Sequence, residues 1–360
     1  MSASKVCATG MATAAIGIPA TTGTGPGPAL HFWYDIRSLG AARFGVQEQS
    51  RGGEKQMVPG ADFSSYYGRP VLKETVWGAD IPSYLFLGGL AGASSALAAA
   101  AQLSRHPELA RTAKVGAAGA ISLSMAALVH DLGRPARFLN MLRVLKVTSP
   151  MSIGSWLLAA YGPVAGAAAA SAVTGRLPRA GTAATAAAGL LGPGIATYTA
   201  ALLCDTAVPA WHDAHREMPY LFAASAASAA GGLGMVAVRP ERAGQAVRFA
   251  VLGAAMELTA KSLLLRRLGP AAQPYQTGVP GTVMEAAEVL TAAGLAGAVL
   301  AGRSRTAAAV SGAALLAASA LTRFGIFEAG RVSARDPAYT VGPQRERLRR
   351  RARQPVTPPG

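Results

Sequence analysis

Cysteine is nearly absent from this 360-residue chain, which has only Cys7 and Cys204, far apart and in no CxxC spacing. The two exclude a disulfide framework, and they exclude an iron–sulfur or zinc site built from this chain's thiolates alone. Histidine is scarce as well. Of the five, His31, His106, His130, His212 and His215, only His130 falls at the end of a strongly apolar run, so a bis-histidine haem inside a membrane is not expected. Charge is the third deficit: 14% of residues are Asp, Glu, Lys or Arg, against about 25% in soluble domains. A chain this poor in charge is too apolar for a soluble enzyme. If it takes part in electron transfer, any metal cluster must belong to a partner.

What the chain does have is length of apolar run, with 51% hydrophobic residues. A spanning helix needs about 20 mostly apolar residues, because the hydrocarbon layer is roughly 30 Å thick and each residue rises about 1.5 Å. Eight stretches qualify: 81–103, 111–131, 152–174, 183–207, 218–238, 244–265, 283–302 and 306–325. The expectation is an all-α integral membrane protein of about eight transmembrane helices. Basic residues and prolines punctuate the connections, as at Arg105-His106-Pro107, Arg176 to Arg179 and Arg239 to Arg242. The formal charge of +16 is therefore read as positive loops between spans and not as a nucleic-acid surface. Within the spans Gly, Ala and Ser abound, as in Gly88-Gly89-Leu90-Ala91-Gly92, and small residues let helices approach closely. Gly192-Pro193-Gly194 is read as an interruption of the fourth span.

The ends differ from the middle. Residues 1–56 are read as a disordered or non-native extension, rich in Gly, Pro and Thr near 19–28, with only a weak signal-like core from Met11 to Ile18. Gly52-Gly53-Glu54 is encodable by a ribosome-binding sequence, which makes Met57 a candidate natural start. A juxtamembrane segment, 57–80, then leads into the membrane domain, 81–325, and a basic tail, 326–360. With an even number of spans, the tail arginines Arg345, Arg347, Arg349, Arg350, Arg351 and Arg353 favour both termini in the cytoplasm.

Two motifs carry a resemblance. His130-Asp131-Leu132-Gly133-Arg134-Pro135-Ala136-Arg137-Phe138, followed by Ser149-Pro150-Met151-Ser152-Ile153-Gly154-Ser155-Trp156, resembles the NrfD / polysulfide reductase membrane-subunit (PsrC-like) family. Tyr84 to Gly92, Tyr198 to Leu203 and Pro209-Ala210-Trp211 add to the likeness, which extends over roughly residues 60–330. The resemblance implies two four-helix bundles in the inner (cytoplasmic) membrane, with no haem or iron–sulfur cluster of their own. It further implies a subunit that exchanges electrons between a quinone pool, menaquinone or ubiquinone, and a ferredoxin-like iron–sulfur subunit attached to a molybdopterin oxidoreductase.

Quinone reduction calls for hydrogen-bond donors at the carbonyl oxygens, a proton source and an apolar slot. His130 and Asp131 close the second span, and histidine exchanges protons near neutral pH. The alternative for Asp131 is a helix-end ion pair with Arg134 or Arg137. Tyr198 matches the family's quinone-side tyrosine and is a candidate carbonyl donor, against a bond to a neighbouring backbone carbonyl. Tyr84 is a further candidate, against a place in the interfacial aromatic belt. Some family members carry Asn and His where this chain has Ser83 and Tyr84. Arg134 and Arg137, around Pro135, form a basic rim that stiffens the loop or meets lipid or a partner.

Charges inside a span cost roughly 2.5–3.5 kcal/mol each at mid-helix, so Glu257, Lys261, Glu285 and Glu288 need an account. Glu257 and Lys261 are spaced to pair on one helix face. The sharper reading puts Glu257 on a proton path. Asp205, His212, Asp213, His215 and Glu217 lack metal-site spacing and are read as an aqueous loop. Two other functions remain open, a small-molecule or ion transporter and a purely structural membrane anchor.

Overall fold

The computed structural model describes residues 71–342 except 74, 76 and 303, together with 345 and 349. The expectations for residues 1–56, for the juxtamembrane segment up to 70 and for tail residues 343, 344, 346–348 and 350–360 lie outside the described residues. Eight long helices follow one another: α1 Asp80–Leu103, α2 Pro107–Asp131, α3 Pro150–Thr174, α4 Pro178–Cys204, α5 Met218–Ala237, α6 Gly244–Leu268, α7 Gly278–Ala298 and α8 Arg305–Arg335. Among the described residues there is no strand. Local chemistry sets many of the boundaries. Pro107, Pro150 and Pro178 stand at helix starts, where the missing N–H costs nothing, and Ser149 and Ser304 cap the starts of α3 and α8. Gly175, in the left-handed region at φ 70°, ends α3.

The helices alternate in direction and gather into two four-membered rings. In the first, α1 packs on α2 and α4 while α3 bridges α2 and α4; in the second, α5 packs on α6 and α8 while α7 bridges those two. The rings meet where α1 and α4 touch α5, and where α1 touches α8. This is the expected all-α membrane architecture of two four-helix bundles.

Six of the eight helices, α1 to α5 and α8, are long and apolar enough to cross a membrane. The exceptions are α6 and α7, against an expectation of eight such spans. The reason is their charge: α6 carries Arg248, Glu257, Lys261, Arg266 and Arg267, and α7 carries Glu285 and Glu288. Two further differences concern boundaries. Helix α4 runs unbroken through Gly192-Pro193-Gly194, since a proline inside a packed span removes only one ladder bond. Helix α8 continues ten residues beyond the expected end of the last span, and its extension is buried at Ile326, Phe327, Ala329 and Gly330.

Glycine makes several close helix approaches possible, two of them glycine to glycine. A Cβ on Gly92 of α1 would land on the Gly192 carbonyl of α4, and one on Gly232 of α5 would meet the Gly312 carbonyl of α8 at 2.6 Å. Both contacts are backbone to backbone, with no flexible side chain to give way. Replacing Gly92 by Leu is expected to lower the thermal unfolding temperature of the detergent-solubilised protein, by an amount equivalent to about 1–3 kcal/mol or more. Replacing Gly119, which has open space around its Cβ position, by Ala is expected to leave it unchanged or raise it.

Candidate functional site

The start of α1 and the end of α2 lie side by side at one end of the first bundle, and polar side chains lace them together. Asp80 opens α1, and its Oδ2 sits 2.8 Å from Nδ1 of His130, the penultimate residue of α2. The neighbouring Asp131 accepts the backbone N–H of Gly78. Six residues further into α2, Ser124 donates to the Tyr84 carbonyl at 3.0 Å. The His130 side chain is 80% exposed, so its ring stands at the surface of the bundle while Asp80 fixes its orientation. With Nδ1–H given to the carboxylate, Nε2 is the free ring nitrogen.

Tyr84 lies one turn, roughly 6 Å, further into α1 than Asp80. It is buried, 4% exposed, and its hydroxyl is hydrogen-bonded to that of Tyr198 in α4. The Tyr198 ring in turn lies over Gly154 of α3, where a Cβ would collide with it. Three helices thus meet at the phenol pair, and α2 is tied to the Tyr84 backbone through Ser124. In such a pair one O–H donates and the other keeps an uncommitted hydrogen.

The four sequence candidates lie at the same end of the first bundle as two groups, His130 and Asp131 beside Asp80, and Tyr84 with Tyr198 one turn further along α1, but some of their expected partners differ. Tyr84 is an internal residue and not part of an interfacial belt. Tyr198 bonds to another phenol and not to a backbone carbonyl. Among the described residues no ion pair joins Asp131 to Arg134 or Arg137; Arg137 donates instead to the Leu132 carbonyl at 2.8 Å, and both arginines are exposed. Asp80 is a site residue that the sequence argument omits, because it stands one residue ahead of the apolar run. Its spacing four before Tyr84 is the signal that was available.

A second polar cluster lies inside the second bundle. Glu257 of α6, 3% exposed, accepts hydrogen bonds from Ser228 of α5 at 3.1 Å and Thr322 of α8 at 2.9 Å, with Ser225 also in reach. Next to it is Arg323, which is completely buried. Its guanidinium stacks 3.7 Å from the centre of the Phe222 ring and donates through Nη2 to the Phe222 carbonyl at 2.8 Å, while Nε and Nη1 have no hydrogen-bond partner. Arg323 also escapes the sequence argument: one arginine within an apolar run of twenty hardly alters its mean hydropathy. The expected Glu257–Lys261 pair does not form. Lys261 bridges to α7 instead, 2.6 Å from Glu288 and 2.7 Å from the Met284 carbonyl, because Glu257 points into the α5–α8 interface.

The connection from α4 to α5 leaves Asp205, His212 and His215 exposed, as expected of an aqueous loop, but its apolar side forms a packed cap. Trp211, in a short helix Pro209–Asp213, is fully buried, donates to the Ile326 carbonyl at 2.8 Å and stacks between Trp77 and Phe327. Arg267 grips both carboxylate oxygens of Glu217, at 2.6 and 2.5 Å. Tyr275 donates to the Ala210 carbonyl at 2.7 Å; burial pushes its phenol above the ordinary value, so it remains a donor. Among the described residues no group of His, Cys, Asp and Glu is placed to hold a metal.

The placement of Arg323 beside Glu257, in the same interface but with no direct hydrogen bond between them, gives a stability prediction. Two buried groups of opposite charge attract at this range, and removing one leaves the other uncompensated. Arg323→Leu is therefore expected to lower the unfolding temperature strongly in the native background and much less in a Glu257→Gln background, as a double-mutant cycle by thermal denaturation in detergent will show.

The family model described as polysulphide reductase, NrfD, matches residues 71–257, just over half of the chain and less than the likeness over 60–330 seen in the motifs. None of the curated proteins matches it. The match takes in the His130 motif, the phenol pair and all of α1 to α5, so the chain belongs to the NrfD (polysulphide reductase) family, membrane subunits of quinone-interacting oxidoreductase complexes.

Proposed function

We propose that this chain is the quinone-reactive membrane anchor of an oxidoreductase complex in the cytoplasmic membrane, passing electrons between the quinone pool and an iron–sulfur partner subunit of a molybdopterin enzyme. One observation carries the reading: a histidine is oriented by Asp80, and one helical turn further along the same helix Tyr84 forms a phenol pair with a spare hydrogen, at one end of an apolar bundle. A quinone needs donors for its two carbonyl oxygens, and these residues supply them. The uncommitted phenolic hydrogen of Tyr84 or Tyr198 binds one oxygen and orients the ring. His130 serves the other through Nε2, holding or releasing a proton there while Asp80 keeps the imidazole in place. Asp131, fixed by the Gly78 amide, supports the same corner.

Apolar side chains next to the cluster suit an isoprenoid tail. Met151, Ile153 and Trp156, on the first turns of α3, are 50, 38 and 41% exposed, and they lie on the helix whose Gly154 seats the Tyr198 ring. The exposed Arg134 and Arg137 frame this end with positive charge and suit an acidic docking face on the partner. Glu257 is assigned to a proton path through the second bundle. Its buried carboxylate meets three hydroxyl-bearing side chains from two neighbouring helices, the arrangement a relay requires.

The test is electron transfer in the assembled complex. His130→Ala and Tyr198→Phe are each expected to reduce quinone-linked turnover by about 10²–10³-fold, in keeping with loss of a general acid or an oriented donor, while the partner subunits still co-purify. Unchanged turnover in both variants would leave only a structural anchor. Glu257→Gln is expected to slow proton uptake coupled to quinone turnover in proteoliposomes. If uptake is unaltered, Glu257 is not on the path.

A further inference from the structure

At the opposite end of the bundle from His130, the chain turns from α1 into α2 over Ser104 to His106, and the turn roofs a pocket of about 490 Å³. Gln102, Arg105, His106, Arg111 and Lys114 line it, with Ala172 of α3 on the far wall. No carboxylate lines it. The acid in the same turn, Glu108, is engaged by Arg242 at 2.6 Å and by Arg239. Among the described residues neither Arg105 nor Arg111 has an ion-pair partner, while the Lys114 ammonium donates to the Gln102 side-chain carbonyl and keeps further hydrogens free. At the start of α2 Pro107 has no N–H, and the cap residue His106 makes no side-chain cap, so no cap hydrogen bond from His106 engages the Glu108 and Leu109 amides.

Arg105 occupies a costly backbone position. Its φ is 58°, in the left-handed region where glycine or asparagine is preferred at a helix end. Gly133, Gly175, Gly269 and Gly278 serve the other sharp turns of this kind, and Leu177 is the single other exception among the described residues. Holding an arginine there is explained if its guanidinium has work to do in the pocket.

The setting identifies the anion. Arg111 and Lys114 lie within roughly 10 Å of the start of α2 along its axis, which is the depth of the headgroup layer and the first methylenes. Beyond Lys114 the helices close on Ala98, Ala117, Ala165, Ala168 and Ala188, too tightly for water. The apolar residues beside the pocket, Val115 of α2 and Val173 of α3, are 44 and 55% exposed on the outer face of the bundle, where hydrocarbon lies. We infer that this pocket binds the phosphate of an anionic phospholipid, with Arg105, Arg111 and Lys114 on the headgroup and the acyl chains along the outer faces of α2 and α3.

The experiment uses the full chain, delipidated in a neutral detergent and titrated with phosphatidylglycerol, cardiolipin, phosphatidylcholine or inorganic phosphate, with bound lipid counted by native mass spectrometry. The anionic lipids are expected to bind at least tenfold more tightly than phosphatidylcholine, and Arg111→Gln/Lys114→Gln to abolish that preference. Arg105→Gly relieves the strained turn, so it should unfold at the same or a higher temperature in lipid-free detergent and yet bind anionic lipid several-fold more weakly. Arg143→Gln, at the other end of the bundle, should change nothing. Undiminished anionic-lipid binding in the pocket variants, or an equal loss in Arg143→Gln, overturns the site. Inorganic phosphate bound as tightly as the lipids overturns the lipid and leaves a soluble phosphate as the ligand.

Discussion

In hydrocarbon a helix gains no hydrophobic free energy by exchanging lipid neighbours for protein ones, so the bundle depends on how closely its backbones can approach. That constraint explains the composition of the interior. Where α1 crosses α4 and α5 crosses α8, glycine meets glycine and main chain rests on main chain. Elsewhere alanine and serine fill the seams. Because dispersion falls steeply with distance, these small residues give packing that larger side chains would hold apart. The price is that polar groups carried into the seams must find partners within them.

The two bundles meet that demand differently. In the first, Asp80, His130 and Asp131 border the surface at one end, and the polar groups sunk among the helices are neutral ones such as the phenol pair of Tyr84 and Tyr198 and the hydroxyl pair of Ser95 and Tyr161. In the second, the charges are internal. Glu257 and Arg323 share the α5–α6–α8 interface with Ser225, Ser228 and Thr322, and Lys261 ties α6 to α7 through Glu288. A surface-accessible cluster suits an exchangeable ligand, and an internal one suits charge that must stay within the protein. The packed cap over α4, α5 and α8, built on Trp211 and Arg267, stiffens the end that carries the first cluster.

The apolar runs determined the helices by themselves. A span of about 20 residues without charge has few other conformations open to it in lipid, since every backbone amide must be satisfied within the segment. For that reason the expected spans agree with α1 to α8 to within a few residues at most ends. The His130 motif and the two tyrosines were likewise legible, as uncommon polar residues near the ends of apolar runs or within them. The failures have a common form. Spacing along one helix suggests a Glu257–Lys261 pair, whereas each finds its partner on another helix; the interfacial-belt alternative for Tyr84 fails because the residue is internal.

Sequence by itself determined that this chain is a bundle of membrane helices with a histidine–aspartate motif at one helix end. Only the tertiary structure decided that Asp80 holds His130, that the phenols of α1 and α4 meet, and that Arg323 lies beside Glu257. The reason is physical. Helix formation in lipid is a local matter of apolar length and hydrogen bonds within one segment, while the partner of a side chain depends on the rotation and crossing of helices brought together from distant parts of the chain.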